Sequence, residues 1–336
     1  MTAHAETPFL PEHPDLDFRT YRGEADVPAI AGLLRASFAA NGDTVGIDPD
    51  DLRNEFRNLP NVDPALDMVL GFAGERLVAR SFIEWADTPD GAARYYESWG
   101  DVHPDWRRRG IGSAMWERNI QRLTALASAD GFGGDRFLSV PWLRGGDVGG
   151  AVIAERMGYE QVRVYHHMTR PTLDDIDVPP MPEGLEVRPV TPADYPALWA
   201  AMCEAFRDHF GAFDTSEHSY RTWIERPTLD PQLLVVAFDG QEVAAAVHGT
   251  IDPEENRAQG YQRGWTDPIY TRRPWRRRGL AAALIGRALL RLRERGMTSA
   301  QLDVDAENAN KALTLYESQG FVADRAATEW HKPLLR

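Results

Sequence analysis

The segment Trp-Arg-Arg-Arg-Gly occurs twice in this 336-residue chain, beginning at Trp106 and again at Trp275, 169 positions later. Each copy runs on into an aliphatic and then a small residue, Ile111-Gly112 and Leu280-Ala281. A repeat at this spacing constrains the fold more than any bulk property, because two equal halves must each form the same local structure. The surroundings repeat as well. Each copy follows an extended, Trp-containing stretch (95–102 and 264–271) and precedes a long amphipathic one (113–127 and 282–295). In the second, Leu280, Leu284, Ala288, Leu289 and Leu292 recur at helical spacing, and Gly296 supplies a stop.

The remaining elements match in order. Short opening strands are predicted at 17–22 and 185–189, then helices at 26–41 and 194–210. Both helices begin at an Asp cap with Pro in the first turn. Second helices follow at 50–59 and 216–226. Strand pairs come next: 68–73 with 77–84 across Gly74-Glu75, and 233–238 with 243–251 across Asp239-Gly240. After the long helices lie strands at 137–142 and 300–304, then short helices ending at Gly158-Tyr159 and Gly320-Phe321, then closing strands. Residues 171–184 hold four prolines and four acids without periodicity and read as a linker. The expected organisation is a mobile tail over 1–16, one domain over 17–170, the linker, and a second domain over 185–336.

Composition narrows the classes of function. Lone Cys203 excludes a disulfide framework or cysteine-built metal site and suits a cytoplasmic setting. No apolar run reaches the ~20 residues of a membrane span, so no membrane is expected. A net charge of −14 argues against nucleic acid as a partner and serves solubility, with a cationic substrate as a secondary reading. The histidines show no H-E-x-x-H or H-x-x-E-H spacing, and no metal is expected.

Arg-Arg-Arg-Gly-x-small at a strand-to-helix junction suits a diphosphate. The first N–H groups of a helix lack intrahelical partners, the helix dipole favours anions, and glycine admits close backbone approach. Neighbouring arginines can add charge-assisted bonds. The structural alternative is a plain helix entrance with solvated arginines, which two matching copies make less economical. Arg107-x-x-Gly110-x-Gly112 and Arg276-x-x-Gly279-x-Ala281 resemble the acyl-CoA signature of the GCN5-related N-acetyltransferase (GNAT) superfamily. Leu315-Tyr316-Glu317-Ser318-Gln319-Gly320-Phe321, with Asn308 eight residues before the tyrosine, resembles the late signature of that family. In its tandem organisation the chain is similar to mycothiol synthase and related actinobacterial acetyltransferases.

The resemblance implies an α/β (α+β) fold of two tandem GNAT domains, each a mixed, twisted sheet flanked by helices. It also implies acetyl-CoA as acyl-donor substrate, lying in a V-shaped opening between the fourth and fifth strands. In the second half, Arg276, Arg277, Arg278, Gly279, Leu280 and Ala281 would hold the diphosphate, with Ile269, Tyr270, Thr271 and Asn308 along the pantetheine arm. Val102, Arg107, Arg108, Arg109, Gly110, Ile111 and Gly112 are the corresponding residues of the first half. Tyr316 would be the acid that protonates the departing thiolate, since a phenol with pKa near ~10 is protonated at neutral pH. Asp267, nine residues before Arg276, is the first candidate base for the attacking amine, where the family usually has glutamate. Its structural alternative is a solvated or strand-terminating aspartate.

Several residues read mainly as structure. Asp303 and Asp305 share one strand face, and holding a cationic substrate is the minority reading. His209, His218 and His248, and the aromatic group Phe206, Phe210, Phe213, Tyr220 and Trp223, read as packing that can also wall an acceptor pocket. In the first half Ala154 stands where Tyr316 does, Gly146 where Asn308 does, and Ser98 where Asp267 does, beside Glu97. That half keeps the phosphate loop and lacks the acid. The expected function is acetylation of a small-molecule primary amine by direct transfer in the C-terminal half. The alternatives are acetylation of a protein N-terminus or lysine, and a non-catalytic acyl-CoA-binding regulatory module.

Overall fold

The computed structural model describes residues 9–43, 46–59, 61–308 and 312–334. The first half of the chain forms β1 (Asp17–Thr20), α1 (Val27–Ala40), α2 (Pro49–Arg57), α3 (Pro64–Asp67), β2 (Met68–Ala73), β3 (Arg76–Asp87), β4 (Ala93–Val102), α4 (Ile111–Ala129), β5 (Asp135–Arg144), α5 (Val148–Arg156) and β6 (Glu160–Arg170). The second half repeats the plan. It contains β7 (Glu186–Val187), α6 (Tyr195–Ala205), α7 (Glu217–Ile224), β8 (Leu234–Asp239), β9 (Glu242–Thr250), α8 (Pro253–Gln259), β10 (Arg263–Thr271), α9 (Leu280–Glu294), β11 (Ser299–Asp305), α10 (Ala312–Ser318) and β12 (Val322–Pro333).

The chain divides into two compact units. The first comprises Met1–Val162, Ser216–Ser219 and Thr328–Arg336, and the second Arg163–Thr215 and Tyr220–Ala327. This division differs from boundaries at 17–170 and 185–336 because the closing strands are exchanged. In the first unit the sheet runs β1-β2-β3-β4-β5 and then the end of β12, whose Trp330 is buried and whose Lys332 Nζ donates to the Met157 carbonyl at 2.7 Å. In the second it runs from β6 through β11, β10, β9 and β8 to β7, and β6 pairs antiparallel to β11 from Arg170↔Ala300 to Tyr165↔Asp305.

Asp26 and Asp194 precede α1 and α6 as expected, but neither side chain caps its helix. A short 3-10 turn comes first, and each carboxylate instead holds an arginine of the opening segment: Arg19 with Asp26 and Arg188 with Asp194. Each carboxylate also accepts from a backbone N–H, of Arg22 and of Thr191, and the repeat of this arrangement marks the two units as copies of one design. Residues 9–16, read as tail, lie against the first unit: Leu16 is buried with Val78, Ile111 and Met115, and Arg118 Nε donates to the Phe9 carbonyl at 2.9 Å. Residues 1–8 lie outside the described residues.

The 171–184 segment has no helix or strand, yet it packs on α9 through Leu173, Ile176 and Met181. Arg287 of α9 donates to the Pro179 carbonyl at 2.9 Å. Gly286 lets the segment approach, since a Cβ there would lie 2.4 Å from the Asp177 carbonyl oxygen and 3.0 Å from Val178 Cα. Gly286→Val is expected to lower stability by roughly 1–3 kcal/mol, the usual cost of overpacking. Denaturant titration with proteolysis of the segment checks this, and an unchanged midpoint would mean the packing is incidental.

Candidate active site

In each unit two neighbouring parallel strands begin paired and then separate. β10 pairs with β11 at Arg263↔Ser299, Gly264↔Ala300 and Trp265↔Gln301, with no pair beyond. β4 pairs with β5 from Ala93↔Asp135 to Glu97↔Ser139. Past these points the two strands no longer pair with each other, and an opening begins between them.

The turn that follows each strand has the same backbone in both units. Arg108 and Arg277 take φ of 64° and 63°, and Gly110 and Gly279 take φ of 85° and 80° just before α4 and α9. Left-handed arginines are strained and persist where the surroundings demand it. The first arginine of each turn supplies part of that demand. Arg276 Nε donates to the Thr271 carbonyl at 2.9 Å and Nη1 to Asp208 at 2.7 Å. Arg107 Nε donates to the Val102 carbonyl at 3.1 Å and Nη1 to Asn41 at 2.8 Å. These bonds anchor the two arginines in the turn. Asp208 also holds Arg273, and bonds from Arg273 and Arg276 draw its carboxyl down to about 2.

A cleft of about 330 Å³ in the second unit is lined by Ile269, Tyr270, Thr271, Arg276, Arg277, Gly279, Leu280, Ala281, Asn308 and Tyr316. Phe206, Asp208 and His209 form its other wall. Arg278 turns aside to the Glu183 carbonyl, 3.2 Å away. The first unit has a larger cleft of about 530 Å³ lined by Val102, Arg107, Arg108, Gly110, Ile111, Gly112, Gly146 and Ser98. Arg109 does not line it and lies over the Trp106 ring at 4.5 Å.

The units differ at the strand that flanks the split. β4 pairs with β3 without interruption from Ala79↔Val102 to Asp87↔Arg94. β10 instead shifts register against β9 between Thr266 and Ile269, so Asp267 and Pro268 bulge out of the ladder. Bulges re-aim side chains, and this one falls on the candidate base. Asp267 keeps exposed surface, so water reaches it, while protein crowds it from its other sides. That desolvation, with the Asp303 carboxylate near and against Arg226, pushes its carboxyl up to about 7. Tyr316 of α10 is buried, packs edge-on to Phe321, and is pushed above the ordinary phenol range by burial and then by the charge of Asp267. Ala154, at the matching place in α5, is fully buried.

His248 is buried between Trp223 and Tyr270, and burial plus Arg226 lowers its imidazole to about 3, so it stays neutral. His218 falls in the first unit. Phe206, Phe213, Trp199 and Trp223 form one stacked aromatic group, with Tyr220 tilted against Trp199. Sequence reasoning missed Glu255 of α8, which is buried and accepts from Trp265 Nε1 at 2.8 Å and Gln301 Nε2 at 2.6 Å. Its only local signal is the Asp252-Pro-Glu start of a helix that was not foreseen. His167 and Arg226 were missed too. Among the described residues no group of three or more His, Cys, Asp or Glu is placed to hold a metal ion, and no helix is long and apolar enough to cross a membrane.

The model of the Acetyltransferase (GNAT) family matches residues 199–321. A mycothiol acetyltransferase of Geodermatophilus obscurus is 31% identical over 92% of this chain and 94% of its own length. The chain belongs to the GNAT acetyltransferase family. It is an acetyl-CoA-dependent N-acetyltransferase. A mycothiol acetyltransferase of Salinispora arenicola is 28% identical over 92% of this chain and 94% of its own length. Among solved structures, a GCN5-related N-acetyltransferase from Sphaerobacter thermophilus superimposes with TM-score 0.70, 24% identity and 96% coverage of each chain. A tandem GNAT protein from the clavulanic acid pathway gives 0.64 at 18% identity, covering 95% of this chain and 98% of its own. These two likenesses establish the tandem fold.

Proposed function

We propose that the second unit acetylates the primary amine of a small molecule by direct transfer from acetyl-CoA. The observation that carries this is an asymmetry: at the split of the second unit the bulged strand with Asp267 meets Tyr316, whereas the split of the first lies beside an unbroken β4 and Ala154. Amides of the turn before α9 receive the diphosphate, with Arg277 beside them. The free edge of β10 around Ile269, Tyr270 and Thr271 pairs with the pantetheine arm and polarises the thioester carbonyl. Asp267 accepts the amine proton, the nitrogen attacks the carbonyl carbon, the carbon–sulfur bond breaks, and Tyr316 protonates the sulfur. The first unit holds CoA without turnover.

Similarity to mycothiol acetyltransferases makes the des-acetyl form of mycothiol the first acceptor to test. The experiment is a panel of primary amines, including that one, with peptide N-termini and lysines alongside, following loss of the thioester absorbance. Turnover only on peptides would favour the protein-directed alternative, and binding without any turnover the regulatory one.

A base must be ionised to act, so activity is expected on the alkaline side. With Asp267 at about 7, kcat/KM should fall tenfold per pH unit below about pH 7 and level off above it. Asp267→Asn should remove that limb along with most of the rate. A wild-type profile in the variant would mean that another group takes the proton.

A further inference from the structure

β6 brings one residue from the first half of the sequence to this site. His167 stands directly opposite Asp303 in the β6–β11 register, and its Nδ1–H donates to Asp303 Oδ1 at 2.9 Å. The ring lies edge-on to Trp265, with centroids 5.5 Å apart, and is mostly buried. Its Nε2 is buried with no partner among the described residues. Asp303 stands across the split from the bulge that carries Asp267.

We propose that His167 is a positioning residue for the base: by holding Asp303 as a second carboxylate beside Asp267, it makes the site receive the acceptor as an ammonium and directs the transferred proton to Asp267. This rests on Asp267 being the base. The Asp303 carboxylate across the split opposes a second negative charge and so raises the proton affinity of Asp267. The hydrogen bond from His167 fixes that carboxylate in place. The groups acting on Asp267 fit this arrangement. Asp303 of β11 raises its proton affinity, Arg226 beyond α7 opposes, Tyr316 of α10 feels its charge, and His167 of β6 stands behind Asp303. In the transfer an ammonium N–H bond breaks and an O–H bond forms on Asp267, while the nitrogen pair goes to the thioester carbon. A simple cross-strand tie between β6 and β11 would use the same hydrogen bond but would not govern Asp267.

Carboxyl-carbon NMR of the full chain labelled in aspartate separates the two roles without any acceptor. The Asp267 signal is the one lost in Asp267→Asn. His167→Leu is expected to lower the Asp267 midpoint by on the order of one pH unit, as the released Asp303 carboxylate turns away from the split. His167→Gln keeps a donor and should restore the wild-type midpoint. Should His167→Leu fail to fold, Asp303→Asn gives the same downward shift by removing the second charge. An Asp267 titration unchanged in His167→Leu, or in Asp303→Asn, overturns the proposal. Full acetyl transfer by Asp267→Asn instead overturns the assignment of the base itself.

Discussion

Tyr316→Phe is expected to lower kcat by roughly 10²–10⁴-fold, the usual range for a lost general acid, and to leave CoA affinity nearly unchanged. Phenylalanine keeps the edge-on packing against Phe321 and the buried position on α10, so the fold should not respond. Burial and the nearby Asp267 make the phenol harder to ionise than usual, which excludes it as a base and leaves it as a donor throughout the working pH range. Its proton is needed only as charge develops on the sulfur, and an interaction made late in the reaction appears in kcat. Single-turnover rates with calorimetric CoA titration test this. A loss smaller than about threefold, with chemistry shown to be limiting, would assign protonation of the thiolate elsewhere.

Much of this site was legible because it is local. The turns at 106–112 and 275–281, the helices they open and the late Leu315–Phe321 motif are contiguous stretches whose period and punctuation survive in one dimension. What depends on distant pairing was hidden. Nothing in the pattern of 160–170 says that β6 joins β11 in the second unit, or that the end of β12 joins the first. His167 and Asp303 are 136 positions apart, so their bond could not be read. The partners of the arginines were hidden for a related reason: Arg107 and Arg276 find carbonyls on their own strands and partners near the ends of α1 and α6, and these bonds hold the turn in shape. The bulge at Asp267 was only half visible. Pro268 cannot donate to a ladder, yet the register shift itself exists only against β9.

Gly279→Glu is expected to abolish acetyl transfer, whereas Gly110→Glu should leave kcat at saturating acetyl-CoA almost intact. Neither glycine has any atom within 4 Å of an added Cβ, so crowding is not the reason. Two other effects are. Both positions have positive φ, which any side chain resists, and glutamate puts a negative charge at a helix start where a diphosphate must sit. Gly279→Ala shares the strain without the charge, so a large gap between Ala and Glu at this position isolates the electrostatic part. In the first unit the same lesion should remove CoA binding alone, because α5 offers Ala154 and β4 has no bulge. Its trace would be thermal: a ligand bound there stabilises by mass action, so Gly110→Glu should lose the rise in melting temperature that CoA brings to that unit. Melting curves without CoA control for damage spread through the fold. If Gly110→Glu melts normally yet loses all transfer while Gly279→Glu keeps it, the first unit is the catalytic one, and the Asp267–Tyr316 chemistry falls with the assignment.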